Sequence, residues 1–278
     1  MAHGRITAKF RELRAHNEAA MIPYVVAGDP DLDITRAIVR EFAARGADLI
    51  ELGVPFSDPM ADGPANQRAS ARGLGGGASL AAILSLVSEL RRETEIPIVL
   101  FGYFNPIFHY GCARLCADAA RAGVDGLLVV DLPSEEAGEL RDPARANGLD
   151  LIYLLAPTTP VERARKVARS ASGFLYYVSV MGVTGARTSV ASDLEEHVRG
   201  IRGVTDLPVG VGFGISTPEQ AAEVARFSDA VIVGSAISLL VEANLGSPQL
   251  VPAVGQLVGS MKAAMRAVRS GNEAAAAR

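Results

Sequence analysis

Two acidic residues have surroundings that point to chemistry. Glu51 interrupts the apolar run Leu49-Ile50-Glu51-Leu52, and Asp62 follows eleven positions later in a segment stiffened by Pro55, Pro59 and Pro64. A carboxylate inside a buried apolar run is costly without a partner or a task. A second carboxyl on a nearby loop would complete a general acid/base couple whose pKa values are set apart by environment. Spacing alone leaves other readings open: a structural ion pair for Glu51, and a turn or helix cap for Asp62 or Asp58. Anion binding is signalled elsewhere. Val211-Gly212-Phe213-Gly214-Ile215 and Val233-Gly234-Ser235-Ala236-Ile237 each lead an apolar run through glycine into a helix start, and Gly182-Val183-Thr184-Gly185 makes a third glycine turn. Glycine lets backbone N–H groups approach a phosphate, and a helix N-terminus favours negative charge.

The elements that must hold these residues follow a repeat. A helical stretch closes at glycine, an aspartate follows, and a short apolar run begins: Gly46 and Asp48 before Leu49, Gly123 and Asp125 before Gly126, Gly148 and Asp150 before Leu151. Eight such runs begin near Ile22, Leu49, Pro97, Gly126, Leu151, Gly173, Leu207 and Ala230. Continuous apolar runs suit strands buried on both faces of a parallel sheet. Helical periodicity lies between them, as in Ile34, Ile38, Val39 and Phe42 after Asp33 as the expected cap. The fold class expected is α/β, a single (β/α)8 TIM barrel, with an open doubly wound sheet as the alternative. Barrel active sites lie beyond the C-terminal ends of the strands, and phosphates bind after strands seven and eight. Both sets of residues fall in those places.

One catalytic domain is expected over residues 1–268, with 269–278 as a frayed or helical tail. Pro143 is expected to break or restart a helix over residues 135–146, and the glycine-rich stretch Gly73 to Gly77 to form a loop ahead of the next helix.

Composition limits the partners. The chain has 278 residues, 49% hydrophobic and 21% charged, which suits one barrel of about 250 residues. A net charge of −4, with arginines scattered among acids, argues against nucleic acid and against an anionic membrane surface. Residues 1–10 hold no apolar core of signal-peptide length and no later run approaches a membrane span, so a cytoplasmic location is expected. Cys112 and Cys116 stand four apart without the CxxC spacing, and are expected as buried, reduced thiols.

The stretch Glu51-Leu52-Gly53-Val54-Pro55-Phe56-Ser57-Asp58-Pro59-Met60-Ala61-Asp62-Gly63-Pro64 closely resembles the signature of tryptophan synthase α chains. Ile22-Pro23-Tyr24 through Gly28-Asp29-Pro30, the turn Gly182-Val183-Thr184-Gly185, and the turns at Gly212 and Gly234 are similar to the same family, in order, from about residue 10 to about 267. The resemblance implies cleavage of indole-3-glycerol phosphate to indole and glyceraldehyde 3-phosphate. It implies Glu51 as the main acid/base, Asp62 as the carboxylate facing the indole nitrogen, and Tyr176 as an aromatic that positions Glu51 and substrate, with Tyr177 competing for that place. Gly185, Gly214, Gly234 and Ser235 would bind phosphate, and Thr184 would steady a mobile loop over residues 181–191 by bonding Asp62. No metal or organic cofactor is implied in this chain. Pyridoxal phosphate is implied in a β subunit, docked near Pro55, Asp58, Asp131 and Pro133 in an α2β2 complex. Val180-Met181 departs from the family's usual polar or small pair. Two rivals stand beside this reading: another sugar-phosphate barrel enzyme, and an activating subunit without catalysis.

Overall fold

The computed structural model describes residues 4–179, 187–212 and 214–276. The strands are β1 (Ala20–Val26), β2 (Ile50–Gly53), β3 (Ile98–Gly102), β4 (Gly126–Val129), β5 (Asp150–Leu155), β6 (Leu175–Val178), β7 (Val209–Gly212) and β8 (Ala230–Val233). Each pairs in parallel with its successor, and β8 returns to β1, so the sheet is a closed barrel and not an open one. All eight begin within two residues of the positions read from the apolar runs. Among the described residues, twelve helices surround or plug it: α1 (Arg5–Ala15), α2 (Leu32–Ala44), α3 (Pro64–Gly75), α4 (Leu80–Leu90), α5 (Phe104–Tyr110), α6 (Cys112–Ala122), α7 (Gly138–Ala146), α8 (Val161–Ser170), α9 (Arg187–Arg202), α10 (Pro218–Ala225), α11 (Ser235–Ala243) and α12 (Leu250–Ala276).

Strand alternation divides the core in two. Ile22, Leu49, Val99, Leu128, Ile152, Phe174, Tyr176 and Ile232 pack together inside the barrel. Ile6, Phe10 and Leu13 of α1 join that cluster and plug one end, with the Phe10 and Phe174 rings 5.7 Å apart. The other parity, including Met21, Ile50, Leu52, Leu100 and Leu127, packs outward against the helices.

The repeated aspartate has a structural job at the strand entrances. Asp48, just before β2, accepts from the Met21 N–H of β1 at 2.7 Å. Asp125, just before β4, accepts from Ile98 of β3 at 2.8 Å, and Asp229, just before β8, accepts from Val209 of β7 at 2.9 Å. Each aspartate therefore pins the start of the strand before its own. The glycine preceding it turns the chain: Gly123 closes α6 at φ +95°, where a Cβ would be strained.

Several local expectations need correction. The cap of α2 is Asp31, whose extended backbone lets its carboxylate accept from Ile34 N at 2.7 Å; Asp33 sits inside the first turn and bonds Arg36. Helix α3 runs on through Gly75, so the loop before α4 is residues 76–79 only. Pro143 lies inside α7 without ending it, because the ring removes one donor while buried Leu140 and Ala144 hold the helix to the core. The loop expected over residues 181–191 is shorter at its far end, since α9 is already helical from Arg187. Backbone at the C-terminal tail stays helical to Ala276. Cys112 and Cys116 are free and buried, and burial pushes the Cys116 thiol up to about 11, which leaves it protonated and inert.

Candidate active site

Glu51 is the second residue of β2, in register with Tyr24 of β1 and Val99 of β3. Its side chain therefore shares the parity that faces the barrel interior. It is fully buried, and neither carboxylate oxygen has a hydrogen-bond partner among the described residues. Burial alone pushes its pKa up to about 8, because nothing nearby stabilises the anion. Among the described residues, Glu51 has no ion-pair partner. A carboxylic acid still protonated at neutral pH is suited to give a proton away.

Asp62 has different company. It lies half-buried in the connection from β2 to α3, and the Tyr103 hydroxyl donates to its carboxylate at 3.1 Å. The same hydroxyl accepts from Ala61 N at 3.1 Å, so the loop and the tyrosine orient each other. Asn66 on α3 lies close enough to the carboxylate to favour its charged form. Burial raises the Asp62 pKa while Tyr103 and Asn66 oppose the rise. Asp62 does not cap α3, whose N-cap is Gly63 without a side-chain bond. Asp58 is exposed and accepts from its neighbour Ser57 at 2.6 Å.

Two tyrosines complete the interior wall. Tyr176 belongs to the barrel's inner cluster, whereas Tyr177 faces outward and stacks on His197 at 6.4 Å, so the contest between them goes to Tyr176. Tyr176 feels the charges of Glu51 and Asp62 but forms no hydrogen bond to Glu51 here. Tyr24 is buried beside Phe101, ring centres 5.1 Å apart. Both rings fit because glycines face them. A Cβ on Gly212 would collide with the Tyr176 hydroxyl, and one on Gly53 would sit 2.6 Å from that of Tyr24. Burial and the neighbouring acids raise both tyrosine pKa values, keeping these hydroxyls neutral.

Gly214, Gly234 and Ser235, expected to bind phosphate, lie at the same end of the barrel. Gly234 follows β8 directly and is the N-cap of α11, where it offers no side-chain bond to the first helical N–H groups. Ser235 opens that helix. Gly214, with φ +77°, follows β7, the strand next to β8. By contrast, the N-terminus of α10 is closed by a capping box between Thr217 and Gln220. Of the two helix starts, α11 is the one left open to an anion. Gly182, Thr184 and Gly185, with Val180-Met181, lie outside the described residues, as does Phe213.

The residues suggested for a partner surface spread over the same face. Asp58, Asp131 and Pro133 are exposed, and Asp131 accepts from Phe104 N at 2.7 Å. Pro55 is buried and lines a groove of about 330 Å³ with Phe56, Leu74, Leu80 and Tyr110. Met60 and Phe108 nearby are 91% and 59% exposed, an unusual amount of free apolar surface. No group of three or more His, Cys, Asp or Glu among the described residues could hold a metal ion. No single helix among them is long and apolar enough to cross a membrane.

Sequence reading assigned no role to Tyr103, Asn66 or Phe101. Tyr103 directly follows Gly102 at the end of β3, so the strand-end rule applied to that run would have singled it out. Asn66 carries no such signal, because its partners come from distant parts of the chain.

A family model described as tryptophan synthase alpha chain matches residues 10–266. The tryptophan synthase alpha chain of Citrifermentans bemidjiense is 57% identical over 258 residues, covering 93% of this chain and 96% of that protein. The crystal structure of tryptophan synthase subunit alpha from Legionella pneumophila str. Paris superposes with a TM-score of 0.88 at 39% identity, covering 95% of this chain and 99% of that one. A chain of Mycobacterium tuberculosis tryptophan synthase gives a TM-score of 0.85 at 37% identity, with 95% and 99% covered. With motifs, barrel and near-full-length matches in agreement, the chain belongs to the tryptophan synthase alpha chain family.

Proposed function

We propose that Glu51 and Asp62 are the acid/base pair with which this chain performs its family's reaction. The chain is a carbon–carbon lyase of tryptophan biosynthesis that cleaves indole-3-glycerol phosphate to indole and glyceraldehyde 3-phosphate. The observation that carries the assignment is the buried Glu51 carboxyl without a partner among the described residues, set against an Asp62 carboxyl held by the neutral Tyr103 hydroxyl.

Glu51 starts protonated and delivers its proton to the indole ring carbon that bears the glycerol side chain. Positive charge then develops at the ring nitrogen, where Asp62 takes it up. The Glu51 carboxylate so formed removes the proton of the adjacent glycerol hydroxyl. That oxygen becomes an aldehyde, the carbon–carbon bond breaks, and its electron pair returns to the ring to restore indole. Glu51 ends protonated, as it began. Tyr176 and Tyr24 wall the ring site, and the open N-terminus of α11, with Gly234, Ser235 and Gly214, receives the phosphate. Thr184 and Gly185 complete this assignment on resemblance alone. No metal or organic cofactor is assigned to this chain.

The partner is a tryptophan synthase β subunit carrying pyridoxal phosphate, in an α2β2 complex. Exposed Met60 and Phe108, beside the Pro55 groove and near Asp58, Asp131 and Pro133, supply an apolar surface with a polar rim for it. The deciding assay is indole release from indole-3-glycerol phosphate, with and without a β subunit. Release by wild type and its loss in Glu51→Gln support the assignment. Partner binding without cleavage in the complex would make the chain an activating subunit instead.

A further inference from the structure

Asp62 has two polar neighbours of unlike origin, of which Tyr103 is hydrogen-bonded to it. Tyr103 reaches it from the end of β3, and Asn66 reaches it from the first turn of α3. Asn66 is itself held from outside its helix. The buried Ser238 hydroxyl of α11 donates to Asn66 Oδ1 at 2.8 Å, across 172 positions of sequence. That bond occupies the amide oxygen and so leaves the Asn66 amide N–H groups for the Asp62 carboxylate. Ser238 stands three residues after Ser235, about one turn into the helix whose open start faces the phosphate. A helix moves as a unit over one turn, so a small shift at Ser235 reaches Ser238.

The bridge is not needed to dock the two helices. Arg68 of α3 already grips Glu242 of α11 through bonds of 2.9 and 3.1 Å, and Arg72 lies 3.8 Å from the same carboxylate. The Asn66–Ser238 bond is the connection nearest the reacting acids.

We infer that Asn66 is a positioning residue that ties Asp62 to the phosphate-receiving helix, so that seating the phosphate on α11 sets the orientation of the Asp62 carboxylate. The inference rests on the roles proposed above for Asp62 and Ser235. It adds a route by which the remote, non-reacting end of the substrate contributes to the step at the indole ring.

The test compares wild type, Asn66→Ala, Ser238→Ala and the double variant in steady-state indole release. Two substrates are used: indole-3-glycerol phosphate and the same molecule lacking its phosphate. A lost hydrogen bond to a charged group predicts a fall in kcat of about tenfold for each single variant on the phosphorylated substrate, with KM changed less than about threefold. The double variant should be no worse than the poorer single one, since both break one bridge. On the dephosphorylated substrate, kcat/KM of the variants should stay within about twofold of wild type, because the helix start is empty in every case. Equal losses on both substrates, multiplying losses in the double variant, or kcat within about twofold of wild type would each overturn the coupling. Thermal melts separate misfolding from positioning, and if Asn66→Ala does not fold, Ser238→Ala carries the comparison alone. Absence of indole release from wild type, alone and with a β subunit, would instead overturn the proposed function.

Discussion

At the plugged end of the barrel, buried Asp48 meets the Lys262 ammonium at 2.8 Å and the Met21 N–H at 2.7 Å; at the other end, buried Glu51 meets no donor among the described residues. Asp125 repeats the first pattern, with Arg91 at 2.6 Å, Arg5 at 3.1 Å and the Ile98 N–H at 2.8 Å. Lys262, only 2% exposed, also reaches Glu18 at 2.9 Å and the Ala19 carbonyl at 3.2 Å. Buried carboxyl groups thus stand in two opposite settings in one molecule. Where strands must be aligned, each acid is surrounded by cations and backbone donors. Where the proposed reaction would break a bond, the acid has no partner among the described residues. The difference is informative because burying an unpaired carboxyl is tolerated only by keeping it protonated.

The sharpest way to break this contrast is to remove the unsatisfied acid. Glu51→Gln should lower indole release by about 10²–10⁴-fold, the usual worth of a general acid/base group, with circular dichroism unchanged. Activity within a few-fold of wild type would refute the assignment of Glu51. At the opposite end, Lys262→Met should do the reverse. It strands Asp48 and Glu18 without their shared buried cation and should cost about 3–5 kcal/mol of stability in denaturant melts. Among molecules that remain folded, kcat/KM should stay within about twofold; a large catalytic loss would mean the two ends are not separable.

Titration sharpens the contrast further. The Glu51 pKa is raised from 4.5 to about 8 by folding, so the folded state holds this proton more tightly than the unfolded chain. Glu51 therefore costs nothing below about pH 4.5, and wild type loses stability as pH rises through the window up to about 8. Glu51→Gln lacks that loss. Its stability relative to wild type should increase between pH 5 and pH 9, by a few kcal/mol at most. A stability difference independent of pH would show that the carboxyl is not titrating as its burial demands. For the same reason, wild-type kcat/KM should fall as pH rises through about 8, where the free enzyme loses its acid.

The smallest effect is expected at the phosphate end. Gly234 sits against Tyr24, whose Cδ1 would lie 3.2 Å from an added Cβ. Gly234→Val should crowd both that ring and the open start of α11, raising KM for the phosphorylated substrate by about tenfold, the scale of one or two lost hydrogen bonds. An unchanged KM would move the phosphate away from α11.

What could be read from the residues alone was whatever is local. Alternating apolar runs and helical segments predicted eight strands, and the closed barrel has them within two residues of their expected starts. Glu51 stood out because a charge within an apolar run is anomalous wherever the chain goes, and the Gly234-Ser235 turn because glycine before a helix exposes N–H groups in any fold. Family resemblance named the roles. Tertiary structure decided the rest, since it depends on neighbours far apart in sequence. Closure and strand parity turned Tyr176 inward and Tyr177 outward, a choice adjacency cannot make. Only the packed barrel set Tyr103 against Asp62 across 41 positions, set Ser238 against Asn66 across 172, and gave the repeated aspartates their bonds to the preceding strands. That Glu51 has no partner among the described residues is likewise a property of the surrounding wall, because being unpaired depends on which residues the fold brings near.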